Sequence, residues 1–308
     1  MRALIILAIL YSTSASHAQG LLSTQPLNPP QKPPKVLQGT QPKNQPRVVP
    51  SNPIAVATAL AQLGKLPEAL KTLDTALESS PKNRELRTAR ASVRQAAGLL
   101  DLAKQDYDDL VTSDPKDSRA WHQRGWLHLV LGHPTNAVAD FDKALELVPA
   151  QKPYDWQRGI ACYYANQFEE GRRQFEIHQT VNSQDVENAV WHFLCVAKTD
   201  GVEKARKLLI NITADPRVPL QEVQALFAGT GKPEAVLQAA KERSGSRSKE
   251  SHFYAHLYLG LYFEALGNTE KSAEHILLAT TEYNLPGLMG DVARTHRLLR
   301  KIVPPQAK

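Results

Sequence analysis

From residue 53 onward apolar residues recur every three or four positions and almost never alternate, so the chain reads as a succession of helices. A longer rhythm overlies this one. Gly64, Gly98 and Gly132 are 34 apart, and so are Ala69, Ala103 and Ala137, then Leu73, Tyr107 and Phe141, then Pro81, Pro115 and Pro149. Each column has a physical job. The glycine can take the left-handed conformation that ends a helix, and the alanine lets two helices approach closely. The aromatic or leucine fills the space between hairpins. The proline stops the second helix and opens the next hairpin, because it cannot continue a helix interior. The columns predict helical hairpins at about 50–83, 84–117, 118–151 and 152–185. In the fourth, Asn166 stands at the turn, a residue that also tolerates the left-handed conformation, and Gly171 replaces the alanine.

The third unit, 118–151, carries Trp121, Arg124-Gly125, Gly132, Ala137, Phe141, Ala144 and Pro149 at the spacing of the tetratricopeptide repeat (TPR), and resembles that family. The expected fold is all-α: a right-handed superhelical TPR solenoid of antiparallel hairpins with a C-terminal capping helix. Beyond residue 185 the register loosens. Residues 186–212 still read as helix, turn, helix with Gly201 between, and 219–243 as two short helices around Gly229-Thr230-Gly231. A clear hairpin returns at 253–285, followed by a helix at about 290–302 that would cap the stack. The layout is then four hairpins over 53–185, degenerate helical repeats over 186–250, and a terminal hairpin with its cap over 251–303.

The first eighteen residues change the picture of where the chain works. Arg2, an apolar run from Ala3 to Tyr11 and the small-residue ending Ser16-His17-Ala18 fit a secretory signal peptide cleaved after Ala18. The run is about half of the roughly 20 residues that cross a bilayer, so no transmembrane segment is expected after cleavage. Residues 19–52 hold eight of the chain's prolines among Gln, Lys and Asn, with Pro53 next, and read as an extended linker. The formal charge of +6 is misleading, because Arg2, Lys32, Lys35, Lys43 and Arg47 supply five of the six and the rest is nearly balanced. A nucleic-acid partner is therefore not expected. The localisation expected is export, to a periplasm or beyond. Cys162 and Cys195 could form a disulfide there or remain buried thiols; their spacing does not choose.

Candidate chemistry is sparse. Gly229 to Pro233 looks like part of a phosphate loop, but Leu226 and Pro233 stand where that motif needs Gly and Ser or Thr, and no strand leads in. His252 and His256 are four apart on one helix face, without an evident third metal ligand. No nucleophile elbow or zinc-protease helix is present. The expectation is a chain that is not an enzyme, with no cofactor, metal or catalytic residue; the alternatives are a metal- or histidine-dependent hydrolase using His192, His252 or His256, or a purely structural oligomer. Two ladders at 34 are predicted to be structural: Arg90, Arg124 and Arg158, reaching Asp106 and Asp140 within a hairpin, and Asp74, Asp108, Asp142 and Glu176 as a solvated outer stripe.

TPR arrays, by resemblance, lay a partner's peptide or helix in the trough formed by the first helices of successive hairpins. The positions that line it fall here on His122, Trp126, Trp156, Ile160, Tyr163 and Tyr164. Large aromatics are what a binding hot spot needs. Arg87, Arg90 and Arg94 stand where the repeat is usually apolar, so that Leu86, Ala89 and Val93 form the buried stripe and the arginine edge, Arg87 and Arg94 included, faces an acidic partner. The order of a worn middle and a last hairpin HFYAHLYLGLYFEALGNTEKSAEHILLATTEYN before a final helix is similar to the NlpI-type periplasmic TPR adaptors over about 84–302. That resemblance implies a homodimeric adaptor that binds protein or peptide partners, recruiting envelope proteases or cell-wall enzymes. Those proteins are lipid-anchored through a cysteine this chain lacks near its start.

Overall fold

The computed structural model describes residues 52–304, and every described element is helical or irregular. The expected signal peptide and all but the last residue of the expected linker lie outside the described residues. The chain divides into two compact units, Met1–Ala97 and Gly98–Lys308.

In the first unit, α1 (Pro53–Gln62), α2 (Leu66–Ser79) and α3 (Arg84–Ala96) pack in sequence. Asn52 and Asn83 start α1 and α3, each accepting a backbone N–H three residues on, from Ala55 and Leu86 at 3.0 Å. The small residues Ala57, Ala61, Ala69, Ala76 and Ala89 let the three axes approach around Leu73, Leu77, Leu86 and Val93. The stripe Leu86, Ala89 and Val93 is buried, as the displaced arginines require.

The second unit contains α4 (Leu100–Ser113), α5 (Ser118–Val130), α6 (Pro134–Leu147), α7 (Trp156–Tyr164), α8 (Phe168–His178), α9 (Val186–Asp200), α10 (Val202–Lys207), α11 (Leu220–Ala228), α12 (Pro233–Glu242), α13 (Ser248–Ala265), α14 (Thr269–Thr280) and α15 (Leu288–Leu299). Neighbours in sequence pack as antiparallel partners, and the columns do what their chemistry dictates. Gly98, Gly132 and Asn166 have positive φ, Asn166 at 60°, which confirms the asparagine as a stand-in for glycine at the turn. Ala103 and Ala137 are fully buried, as are Tyr107, Phe141 and Phe175. Gly171 is glycine for a local reason: a Cβ there would lie 2.9 Å from Cys195 Sγ. Cys162 and Cys195 are buried free thiols. Burial pushes the Cys162 thiol up to about 11, so it stays protonated and inert.

The fourth hairpin departs from the repeat at its start. Asp117 caps α5 through the N–H groups of Arg119 and Ala120, but the equivalent cap moves on to Asp155, and a 3₁₀ segment over Pro149–Tyr154 fills the gap. This leaves α7 nine residues long against thirteen for α5.

The end of the chain does more than the sequence led us to expect. The last helix was expected at the end of the stack as a cap. It does pack on α14, but it also returns to α5. An added Cβ on Gly132 would lie 3.1 Å from the Leu298 side chain. The second unit therefore closes on itself, and α9 and α13 fill its middle with Val190, Phe193, Leu194, Leu257, Leu261 and their neighbours.

Candidate interaction surface

The first helices α5, α7 and α9 follow one another in the second unit, and their facing sides carry the aromatics that the sequence singled out. The structure buries most of them. Ile160, Tyr163 and Trp126 are 1–2% exposed and Tyr164 6%. These four were expected to line an open trough; they lie in the interior, with His296 and Arg300 over Tyr163 and Tyr164 and α15 returning to the Trp126 helix. Periodicity could not announce this, since the covering helix belongs to no repeat.

At the rim, His122 and Trp156 remain half-buried. His122 meets the edge of Phe141 at 4.9 Å, and its Nε2 lies 3.3 Å from Asp155 Oδ1. Trp156 stands edge-on to Trp126 at 6.1 Å. Tyr154, from the 3₁₀ segment, is 59% exposed. The rim is thus aromatic on the surface and continuous through Trp156 with the interior. Arg87 and Arg94 belong to the first unit and are partly buried; Arg87 donates to Pro81 O at 2.8 Å and, with Asp74, Leu77, Glu78 and Arg90, lines a shallow pocket there.

Beneath α15 lies a group the sequence reading missed. Glu264 of α13 collects four polar side chains: the Tyr163 hydroxyl donates to Oε1 at 3.1 Å, Arg300 at 2.8 and 3.1 Å, Lys198 Nζ stands 3.3 Å away, and His296 Nε2 lies 2.9 Å from Oε2. On the other side of the imidazole, Tyr164 Oη lies 2.9 Å from Nδ1. Hydrogen bonds from His296 and Arg300 overcome the cost of burial and hold Glu264 far below the usual carboxylate range. Burial lowers the pKa of His296, which is completely enclosed, and its ring stands between Tyr164 and Glu264. Arg300 also lies over the Tyr163 and Tyr164 rings, at 6.0 and 5.6 Å from their centroids. The only sequence sign was an acid inside the apolar run LYFEALG and a His, Arg pair four apart at the end.

A second buried network sits at the start of α9. Arg217 serves three carboxylates, with Asp185 and Asp215 at 2.6 Å and a close contact to Glu187, which also accepts from Tyr258 at 2.5 Å. One guanidinium cannot balance three acids in the interior. Burial, only partly offset by Arg217, pushes the Glu187 carboxyl up to about 7.

The ladders prove to be one device. Arg124 binds Asp140 through two bonds of 2.7 Å within its hairpin, as expected, and also reaches back to Asp108 at 3.2 Å. Arg90 reaches Asp74 at 2.8 Å, and Arg158 reaches Asp142 at 2.6 Å. In the next register His192 takes the basic place, 3.4 Å from Glu176. The acidic stripe expected to be merely solvated is therefore half-exposed but paired, each acid with the first helix of the following hairpin. His252 and His256 do not converge on a metal: His252 Nδ1 faces Ser248 O at 2.8 Å, while His256 Nδ1 faces His275 Nδ1 at 2.9 Å. No cluster of three His, Cys, Asp or Glu side chains that could hold a metal occurs among the described residues. None of the described helices is long and apolar enough to cross a membrane.

Known proteins point the same way as the geometry. Residues 118–151 match the tetratricopeptide repeat family model. The chain is 33% identical over 89 residues to the protein O-mannosyl-transferase TMTC1 of Mus musculus, covering 28% of this chain and 9% of that protein. It is 28% identical over 99 residues to the SGT1 homolog of Bos taurus, covering 32% and 29%. The chain spans less than a third of either relative. Among solved structures, a tetratricopeptide repeat protein from Parabacteroides merdae aligns over 81% of this chain and 97% of its own, with TM-score 0.53 and 17% identity. Such folds are in general scaffolds for protein interaction and typically lack catalysis. Residues 118–151 are thus a tetratricopeptide repeat by sequence, and the hairpins around them share the fold of a tetratricopeptide repeat protein.

Proposed function

We propose that this protein is an exported, non-enzymatic adaptor that binds a protein or peptide partner on the inner face of α5, α7 and α9, entered from the aromatic rim at His122, Tyr154 and Trp156. The observation that carries this reading is the rim itself: Tyr154 is largely exposed and His122 and Trp156 partly so, beside a trough already lined with aromatics. Such residues bury much area at little entropic cost when a partner arrives. Export rests on the leader-like start, and an envelope role, gathering proteases or cell-wall enzymes, rests on the resemblance in chain order to the periplasmic adaptors.

Affinity capture from an envelope extract tests the reading. The intact chain should recover a defined partner, and the His122→Ala, Trp156→Ala double variant should lose it while keeping its helical circular dichroism. Undiminished recovery by that variant overturns the rim assignment. Export is checked separately by the mass of the chain isolated from cells, which should begin at Gln19.

A further inference from the structure

The inner face is already occupied by part of the same chain, and the occupant fits imperfectly. Among the polar atoms buried without a partner in this region are Oγ1 of Thr295, on α15 itself, and the indole Nε1 atoms of Trp126 and Trp191; the Trp191 ring packs edge-on to Tyr163 and Tyr164 at 5.5 and 6.0 Å. A buried polar atom left unpaired costs more than its hydrogen bond would return, so this face is better served by a different ligand than by the present one. The hold of α15 is also of a particular kind. Its fully buried apolar side chains are small, Val292 and Ala293, while Leu298 stays 53% exposed; its firmest links are His296 and Arg300 on the one carboxylate of Glu264. The segment from Thr281 to Gly287 joins it to α14 outside any helix, so α15 can leave without unfolding a hairpin.

We propose that the trough of Trp126, Tyr163, Tyr164, Trp191 and Glu264 is a helix-binding site, that α15 is its resident occupant, and that the partner which replaces it is an amphipathic helix bearing a basic side chain for Glu264. This rests on the inner face being the recognition surface. With α15 displaced, Glu264 keeps Lys198 and the Tyr163 hydroxyl on Oε1 and loses its partners on Oε2, a carboxylate at the floor of an aromatic trough with room for a guanidinium or ammonium. An acidic helix is excluded by the same charge.

The test uses the full chain and a fluorescent peptide of residues 286–304 as probe. Arg300→Ala loosens the resident helix and should bind the probe at least tenfold more tightly than the unaltered chain. Thr295→Val removes the orphan hydroxyl, tightens the resident helix and should bind it more weakly. An acidic amphipathic peptide should bind none of the three. Hydrogen exchange on the unaltered chain, which needs no variant to fold, should show amides 288–299 opening before those of 186–196. Equal probe binding by all three folded chains, or α15 amides that exchange only together with α9, overturns the proposal. A partner captured equally by all three would overturn helix replacement while leaving the adaptor role standing; probe replacement without any captured partner would do the reverse.

Discussion

The hairpins from α5 to α8 and the region from α9 to α15 are built from the same kind of element but held together differently. In the first, each hairpin repeats the same solution: a small residue where axes cross, an aromatic between hairpins, and a half-exposed acid paired with the next basic residue at a fixed offset of sixteen. In the second, no rung repeats. Its carboxylates are the buried members and are shared, three of them on Arg217, while Glu264 gathers four polar partners. A solvated pair is weak and therefore interchangeable, so it can be copied from unit to unit; a buried network works only where every member is satisfied, so it occurs once.

That contrast can be broken most forcefully at Arg217. Replacing it by Met leaves Asp215 and Glu187 buried without their cation, and should cost on the order of 3–5 kcal/mol in chemical denaturation. A loss below about 1 kcal/mol would mean that this region is stapled no differently from the repeats. Glu187 sharpens the point through pH. Its folded pKa of about 7 lies above the ~4.3 of an unfolded glutamate, so the stability it contributes is complete below the unfolded value and lost as pH rises towards 7. Glu187→Gln removes that slope, and at pH 8 the variant should be more stable than the parent by up to about 2–3 kcal/mol, with the gap closing near pH 5. Melting curves at the two pH values decide it.

Within the repeats, Gly159→Ala puts a Cβ 2.6 Å from the Phe175 ring and should cost about 1–3 kcal/mol, whereas Gly125→Ala, one period earlier, has its nearest neighbours at 3.2 Å and should cost less. Phe175→Leu in the Gly159→Ala background should recover part of the loss. The smallest effect is expected at a rung: the Arg124→Met, Asp108→Asn double-mutant cycle should give a coupling of about 0.2–1 kcal/mol that fades in high salt. A larger, salt-insensitive coupling would erase the distinction between the two regions.

The period of 34 carried most of what could be read. It placed the turns at Gly98, Gly132 and Asn166, the buried aromatics at Tyr107 and Phe141, and the Arg124–Asp140 pair. The resemblance to the repeat family, rather than the period, named Trp126, Ile160, Tyr163 and Tyr164 as one face, and the structure places them on α5 and α7. What it could not read was that this face is covered. The second function of Asp108 and Asp142, as rungs to the following hairpin, was hidden for a related reason: the sequence shows that acids recur, and only the packing of consecutive hairpins shows what they meet.

Sequence alone determined the local events here, helix starts at Asx residues, left-handed turns, and small residues at close crossings, because each depends on a few neighbouring atoms and repeats wherever those atoms repeat. The tertiary structure decided that α15 folds back over the inner face and that Glu264 gathers Tyr163, His296 and Arg300 from separate parts of the chain. Those contacts join residues more than thirty positions apart with no periodic relation between them. Their energy comes from exclusion of water and from shared charge, which exist only once the whole unit has closed.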